Sequence, residues 1–565
     1  MRLTAKISAV LGLLFASAFS AADAAQFADR WFFMQLNFSK DKHLEYAREA
    51  IAAAKTSGYN GLALECGVEE WDLWDEARRA RLEEVKRLCA EADIEIIPLV
   101  WSVGYGWMLP KHPDLMEGIK VRDVKYVVCG DRAEFAPSTP GLPVSPLAQG
   151  ETKDLCQAAY CYRAALLPFR LYRVTYRLKS EGFDTRFSFR QTSLRADRED
   201  WNRQWFQYGW RDRTTARDSG WREYDFLLAT DRTAHYGLRF EIRWFRPGKA
   251  PEKRGRLLMD ALRIEEIGPQ QVMKYAEHPM TVRNAATGVA CRPGTDYLDF
   301  PDVGDVKVSP FDPGSPSRSR RQIDDLVPWP NVCPFAAPRD PSLALAIPAG
   351  SALKDGDELR VTTWVPGPHN LAFQRSACMA NPDLRAYFNR TAATVRKVLN
   401  PKKWFLSMDE IRHGGTCPRC EAYPGGLARL YADCICAERA AIRAQVPDAQ
   451  VYMWSDMVDP VHNAKPDNVF CLGSTMGADQ WIPRDIVIVC WYRDMRRISM
   501  PFFSTHGFRT MGAAYYDADD LDGSRQWLET CRETPDCRGI MYTTWQIKYE
   551  LLGDFGRLCF GEWEF

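Results

Sequence analysis

Two adjacent carboxylates and two close cysteine pairs are the residues of this chain best suited to chemistry. The segment Ser407-Met-Asp-Glu-Ile-Arg412 sets Asp409 beside Glu410. One carboxylic acid can protonate a leaving oxygen while its neighbour orients or stabilises the reacting group. Adjacent side chains of a regular strand point to opposite faces, so both reach one site only where the strand is ending and the backbone turns. Shortly after come Cys417-Pro-Arg-Cys420 and Cys434-Ile-Cys436. Four thiolates suit a tetrahedral structural zinc, although the second pair departs from C-x₂-C; disulfides or buried thiols are the alternative. The chain has 17 cysteines, an odd number, so at least one is unpaired or metal-bound. Phosphate-loop, H-E-x-x-H and G-x-S-x-G patterns do not occur, and no cofactor beyond that candidate zinc is expected.

The elements that position these residues alternate in period. Trp31–Asn37, Gly61–Glu65 and Glu95–Trp101 read as buried strands, separated by helical segments over 43–57 and 75–92. The rhythm resumes with a helix over 383–399 and strands at Trp404–Glu410, Val451–Asp456, Ile486–Trp491, Thr510–Tyr516 and Gly539–Trp545. Eight strand signals with helical intervals predict an α/β fold, a (β/α)₈ TIM barrel. The 565 residues leave room for more than a barrel. Between residues 125 and 375 short period-two runs such as Leu171–Arg177 and Leu238–Trp244 predict a β-sandwich-like insertion after the third strand. The expected organisation is a signal peptide at 1–24, a first barrel part at 25–124, a β-sandwich insert at 125–270, a second β-rich insert at 271–375, and a second barrel part at 376–565. Within the second insert, 302–331 is rich in Pro, Ser and Asp and reads as an irregular loop.

Barrel enzymes place their chemistry where the strands end. The residues there are Asn37, Glu65, Trp101, Asp409, Glu410, Asp456, Trp491, Tyr515, Tyr516 and Trp545. Carboxylates that bind hydroxyls beside aromatic faces that cover ring C–H groups suit a sugar. A fourth strand ending in Asp-Glu, a fifth reading Val-Tyr-Met-Trp-Ser-Asp-Met, a sixth ending in Trp and an eighth reading Gly-Ile-Met-Tyr-Thr-Thr-Trp resemble the β-N-acetylhexosaminidase barrels of glycoside hydrolase families 20 and 123. The likeness covers the barrel portions. It implies substrate-assisted retaining hydrolysis, with Glu410 as acid/base and Asp409 orienting a 2-acetamido group whose carbonyl oxygen attacks the anomeric carbon. A tyrosine such as Tyr515 would hydrogen-bond that carbonyl, and Trp454, Trp491 and Trp545 would wall the sugar. Ser407 and Met408 stand where that family usually has glycines, and Arg412-His413-Gly-Gly-Thr-Cys417 replaces its familiar loop. Glu65, Trp101, Arg412, His413 and Asp456 complete the expected substrate-binding set. Two other readings stay open: a two-carboxylate glycosidase pairing Glu410 with Asp456 or Asp517, and a non-catalytic glycan-binding protein.

The sandwich stretch carries Trp201, Trp205, Trp210, Trp221 and Trp244, a composition that resembles carbohydrate-binding modules, with Trp201–Trp210 the candidates for an exposed platform. The whole chain has a formal net charge of zero, which points to no nucleic-acid partner. Residues 162–263 nevertheless hold 20 Arg and 3 Lys against 13 acidic residues. Arginine forks bind sulfate and carboxylate groups, so an anionic polysaccharide is a candidate ligand beside the carbohydrate substrate; a solvated surface is the alternative. Arg2 and Lys6, an apolar run over 9–19 and Ala22-Asp23-Ala24 read as a cleaved secretory signal, and no later run is long enough to span a bilayer. A secreted or periplasmic protein is expected, in a compartment where disulfides are chemically reasonable.

Overall fold

The computed structural model describes residues 27–106, 108–109, 111–138, 143–183, 188–195, 213–214, 218–232, 235–243, 255–302, 339–367, 375–466 and 470–561. Side chains are not described within 188–195 and 213–214 or at positions 235, 243 and 470. The expected signal peptide, Trp201, Trp205, Trp210, Trp244 and nearly all of the 302–331 loop lie outside the described residues.

Eight parallel strands close into a barrel: β1 Asp29–Gln35, β2 Gly61–Glu65, β3 Glu95–Val100, β4 Lys403–Leu406, β5 Gln450–Trp454, β6 Val487–Cys490, β7 Thr510–Ala513 and β8 Cys537–Tyr542. Ring closure is the pairing of β1 with β8, Trp31 opposite Met541. The strands read as continuous apolar runs because both faces are buried. Alternate residues fill the barrel interior, among them Trp31, Phe33, Leu99, Phe405, Tyr452, Trp454 and Met541. Their neighbours Phe32, Met34, Trp404, Leu406, Met453 and Tyr542 pack outward under the helices. Gly61 makes room for this filling, since a Cβ there would lie 2.4 Å from the Trp31 ring.

The helices are α1 Asp41–Lys55, α2 Glu76–Glu91, α3 Pro382–Leu399, α4 Gly426–Gln445, α5 Arg496–Thr505, α6 Asp522–Glu533 and α7 Leu552–Phe560. Local chemistry sets several ends. The Asp75 side chain accepts from the Arg78 N–H to cap α2, Asn381 accepts from the Asp383 N–H to cap α3, and Asn400 closes α3 in the left-handed region. Between β5 and β6 the described residues carry a 3₁₀ turn, Ala478–Trp481.

In chain order between β3 and β4 lie three antiparallel sheets. One joins Tyr160–Ala165, Ser188–Arg195, Arg213–Thr214 and His235–Arg243; a second joins Val144–Leu147, Lys153–Asp154, Leu171–Glu181, Arg222–Ala229 and Arg256–Ile267. These two share a core in which the Tyr176 and Phe240 rings are 5.1 Å apart. The third sheet pairs Gly118–Cys129 with Glu358–Pro366, alongside Thr281–Asn284, Arg132–Phe135 and Leu345–Ala346. Gly118–Cys129 runs across the boundary expected at 124/125, because its partners are distant in sequence, Val124 pairing with Val361 237 residues on, and no local signal announces it.

Among the described residues of this region, several arginines meet acids of the neighbouring strands. Arg177 pairs with Asp260 at 2.7 Å, Arg170 with Glu266 at 3.2 Å and Arg239 with Glu241 at 2.8 Å. Among the described residues no helix is long and apolar enough to cross a membrane.

Candidate active site

In seven of the eight strands the ladder stops before the sequence pattern suggests, and the polar residues follow in the turns. β4 ends at Leu406, so Asp409 and Glu410 stand three and four residues beyond it. Glu410 takes a left-handed backbone, φ +42°, which breaks the alternation and lets both carboxylates face the barrel mouth. The turn is held from two sides. The Glu410 N–H donates to Asp456 Oδ2 at 2.8 Å, and Asp456 also accepts from Asn463 Nδ2 at 2.8 Å. On the other side Gly104 approaches so closely that a Cβ there would lie 2.0 Å from the Asp409 carbonyl oxygen.

Four carboxylates gather here. Glu65 and Asp456 are buried, and loss of hydration, followed by the charge of Asp409, raises both well above the usual carboxylate range. Asp409 is pushed up to about 7 by burial and then by Glu410, while Ser407 Oγ donates to its Oδ1 at 3.1 Å. Glu410 is the most open of the four, its side chain one-quarter exposed. Tyr105 Oη and Arg412 Nη2 both donate to its Oε2. Among the described residues Oε1 accepts no hydrogen bond, so it is the oxygen left to face a ligand. Arg412 lies over the Tyr105 ring, 4.8 Å from its centroid. Burial opposes its charge, but Glu410 and Tyr105 outweigh that and hold the guanidinium firmly protonated.

Aromatic rings complete the mouth. Trp454 and Trp545 lie 6.0 Å apart beside Phe33, Trp454 buried in the barrel interior and Trp545 partly exposed against it. Trp545 is fixed by its backbone N–H, which donates to Asp517 at 3.1 Å; Asp517 also accepts from Thr544 Oγ1 at 2.6 Å. Trp491 and Tyr516 are nearly parallel, 7° between planes. Tyr516 is 61% exposed yet near enough to the acids that desolvation and then Glu410 raise its phenol pKa.

Three expected ligands are elsewhere. Trp101 is fully buried outside the strands, donating from Nε1 to Thr391 Oγ1 at 2.8 Å and packing on Phe388. Its left-handed backbone, φ +58°, turns it away from the mouth. His413 is buried beneath Gly367, and burial, followed by the charges of Arg375 and Arg412, lowers its pKa to about 3, so it is neutral packing. Tyr515 stacks on Tyr542 at 4.2 Å and donates to the Ala518 carbonyl, leaving Tyr516 at the mouth. The position sequence reasoning missed is Tyr105, in the turn after β3, where strand-end counting stops four residues too early. The Asn37 side chain serves its own loop, its Oδ1 accepting from the Ser39 N–H at 3.0 Å and from Ser39 Oγ at 2.7 Å.

The cysteines also differ from expectation. None of the described cysteines forms a disulfide. Cys417 and Cys420 do come together, but not with Cys434 and Cys436. On α4 two residues are about 200° of turn apart, so Cys434 faces the core while Cys436 reaches the Trp481 carbonyl at 3.7 Å.

No family model and no curated protein matches the chain. Among solved structures, the GH20 exo-β-N-acetylglucosaminidase from Vibrio harveyi is similar over 34% of this chain and 33% of its own, at 11% identity and a TM-score of 0.25. The β-N-acetylhexosaminidase from Bacteroides fragilis matches 34% of this chain and 42% of its own at 12% identity, TM-score 0.24. The CBM22-1 xylan-binding domain from Paenibacillus barcinonensis Xyn10C matches 27% of this chain and 96% of its own at 10% identity, TM-score 0.14. The chain thus spans about a third of the length of the first of these. The structures it is similar to are glycosidases and carbohydrate-binding modules, and the overlap is too partial to argue from.

Proposed function

We propose that the protein is a glycoside hydrolase acting on a glycan that carries a 2-acetamido sugar. The observation that carries this reading is the Asp409-Glu410 turn at the mouth of the barrel, with one carboxylate buried and one open, at the end of a barrel whose interior holds Trp454 with Trp545 packed against it. In this reading Glu410 protonates the leaving glycosidic oxygen through Oε1. Asp409 accepts from the acetamido N–H, which turns the acetamido carbonyl oxygen towards the anomeric carbon. That oxygen forms the new C–O bond as the leaving group departs, giving a bicyclic oxazoline intermediate. Glu410, now ionised, takes a proton from water, and the water oxygen reopens the ring with overall retention.

The burial of Asp456 and Glu65 favours this over the two-carboxylate mechanism. Asp456 spends Oδ2 on the Glu410 N–H and on Asn463, and Asp517 is engaged by the Trp545 turn. Neither is placed as a free nucleophile. The antiparallel sheets are assigned to glycan binding, and the arginine excess keeps an anionic polysaccharide as a candidate ligand. The pairing of Arg170, Arg177 and Arg239 with acids of their own sheets weakens that second assignment. The protein acts after export to the periplasm or outside the cell.

The test is a screen of nitrophenyl glycosides with and without a 2-acetamido group. Turnover is expected only in the acetamido set, and Glu410→Gln is expected to reduce kcat by about 10²–10⁴-fold with the far-UV spectrum unchanged. Unchanged turnover in that variant would reject Glu410 as the acid. Equal turnover of both substrate sets would reject substrate assistance.

A further inference from the structure

Behind the Asp409-Glu410 turn, four buried side chains from three separate segments converge: Glu117, Cys378, Cys417 and Cys420. Their ligand atoms all lie within 4.8 Å of one another. Cys378 Sγ is 3.5 Å from Cys417 Sγ and 3.6 Å from Cys420 Sγ, and Cys420 Sγ is 3.0 Å from Glu117 Oε2. A disulfide requires sulfurs about 2.05 Å apart. A tetrahedral ion with Zn–S bonds of about 2.3 Å sets them about 3.8 Å apart. The two sulfur–sulfur distances from Cys378 are therefore within a few tenths of an ångström of the spacing a metal needs and far from that of a covalent bond.

The carboxylate is held as metal-binding carboxylates are. Glu117 Oε1 accepts from the Thr416 N–H at 2.9 Å, Thr416 Oγ1 at 3.0 Å and the Cys417 N–H at 2.9 Å. Those three donors fix its plane and aim Oε2 at the sulfurs, the outer-shell arrangement that orients a ligand. We propose that Cys378, Cys417, Cys420 and Glu117 form a closed structural site for a zinc-like divalent cation, bound by three thiolates and one carboxylate oxygen. Each thiol releases its proton to solvent as it coordinates, and no redox change is involved.

The position of the site gives it a purpose. Glu117 immediately precedes Gly118–Cys129, the first strand to leave the barrel; Cys378 lies just before α3, where the chain returns; Cys417 and Cys420 flank the start of a short helix, Pro418–Glu421, seven residues past Glu410. The same three segments are already stitched by Ser376, whose carbonyl accepts from the Glu117 N–H at 2.9 Å and whose Oγ accepts from the Arg412 and His413 N–H groups at 2.8 and 2.9 Å. A cation here ties the departure and return of the antiparallel sheets to the loop that carries Asp409, Glu410 and Arg412. It takes no part in the reaction, so the proposal stands whether or not the glycosidase reading does.

The experiment is elemental analysis of the purified full chain produced with zinc in the medium, together with absorption of the cobalt-exchanged protein. The expected result is about one zinc per chain, and cobalt spectra with thiolate charge-transfer bands and intense tetrahedral d–d bands. Cys378→Ser is expected to lower the metal content more than tenfold, whereas Cys434→Ser, Cys436→Ser and Glu410→Gln retain it. Should Cys378→Ser not fold, alkylation of the unmodified protein decides: Cys378, Cys417 and Cys420 are expected to be protected until a chelator is added. Metal-free protein, a mass-spectrometric disulfide joining any two of these three cysteines, metal surviving Cys378→Ser, or alkylation indifferent to chelator would each overturn the proposal.

Discussion

Asp409→Asn is expected to stabilise the protein at pH 8 while removing its activity. In the folded chain the Asp409 carboxyl is buried beside Glu410 and its pKa is raised to about 7, against about 3.9 for an unfolded aspartate. A raised carboxylate pKa means that the folded state holds its proton more tightly than the unfolded state. Stability from this group is therefore complete below pH 4 and is lost progressively as pH rises from about 4 to 7, where the unfolded chain ionises and the folded one resists. About 3 pH units at 1.36 kcal/mol each bound the loss at about 4 kcal/mol. Asparagine keeps the acceptor that meets Ser407 Oγ and carries no charge, so the variant escapes the loss. Glu65 and Asp456 add to the gain, since the Asp409 charge raises both. Thermal melts of both proteins from pH 4 to 8 provide the assay: the melting temperatures are expected to lie close together at pH 4 and to diverge by several degrees at pH 8, the variant higher. Parallel curves, or a variant less stable at pH 8, would refute the reasoning that Asp409 is a buried charge held for function.

Asp29 sits at the opposite end of the barrel, fully buried and bound to Lys403 Nζ at 3.1 Å, Arg538 Nε at 3.1 Å and Tyr452 Oη at 2.7 Å. Asp29→Ala takes the carboxylate from Arg538 and leaves Lys403 with Glu95 alone, at 3.1 Å, and is expected to cost about 3 kcal/mol in denaturant unfolding with KM unchanged. Gly104→Ala drives a methyl group against the Asp409 carbonyl, and it is expected to lower kcat at least tenfold while leaving the far-UV spectrum intact. Trp491→Ala removes one of the two parallel rings at the mouth and is expected to raise KM roughly three- to tenfold, about 1 kcal/mol of binding, with a smaller effect on kcat.

How much of this was legible in the chain depends on how local the cause is. The eight barrel strands are written in contiguous apolar runs, because a strand buried on both faces advertises itself in four to seven residues. The caps Asp75 and Asn381 and the turn-forming glycines are equally local. Carboxylates and tryptophans at strand ends could be named from the same pattern. Which of them face the mouth could not. Past the last ladder bond the two-residue period no longer governs direction, and single left-handed residues decide it: Glu410 turns in, whereas Trp101 turns out. Tyr516 and Tyr515 exchange roles for a similar reason, since both follow the end of β7.

Contiguous pattern in the chain dictates a closed α/β barrel, an acidic pair at the end of its fourth strand and a long β-rich stretch before it. Tertiary structure alone decided the partners. Tyr105 reaches Glu410 across 305 residues, and Glu117 meets Cys420 across 303. Cys434 and Cys436, close in the chain, are separated because a helix turns them to different faces. Contacts of that range depend on where a closed barrel returns each strand end, and no window of neighbouring residues carries that information.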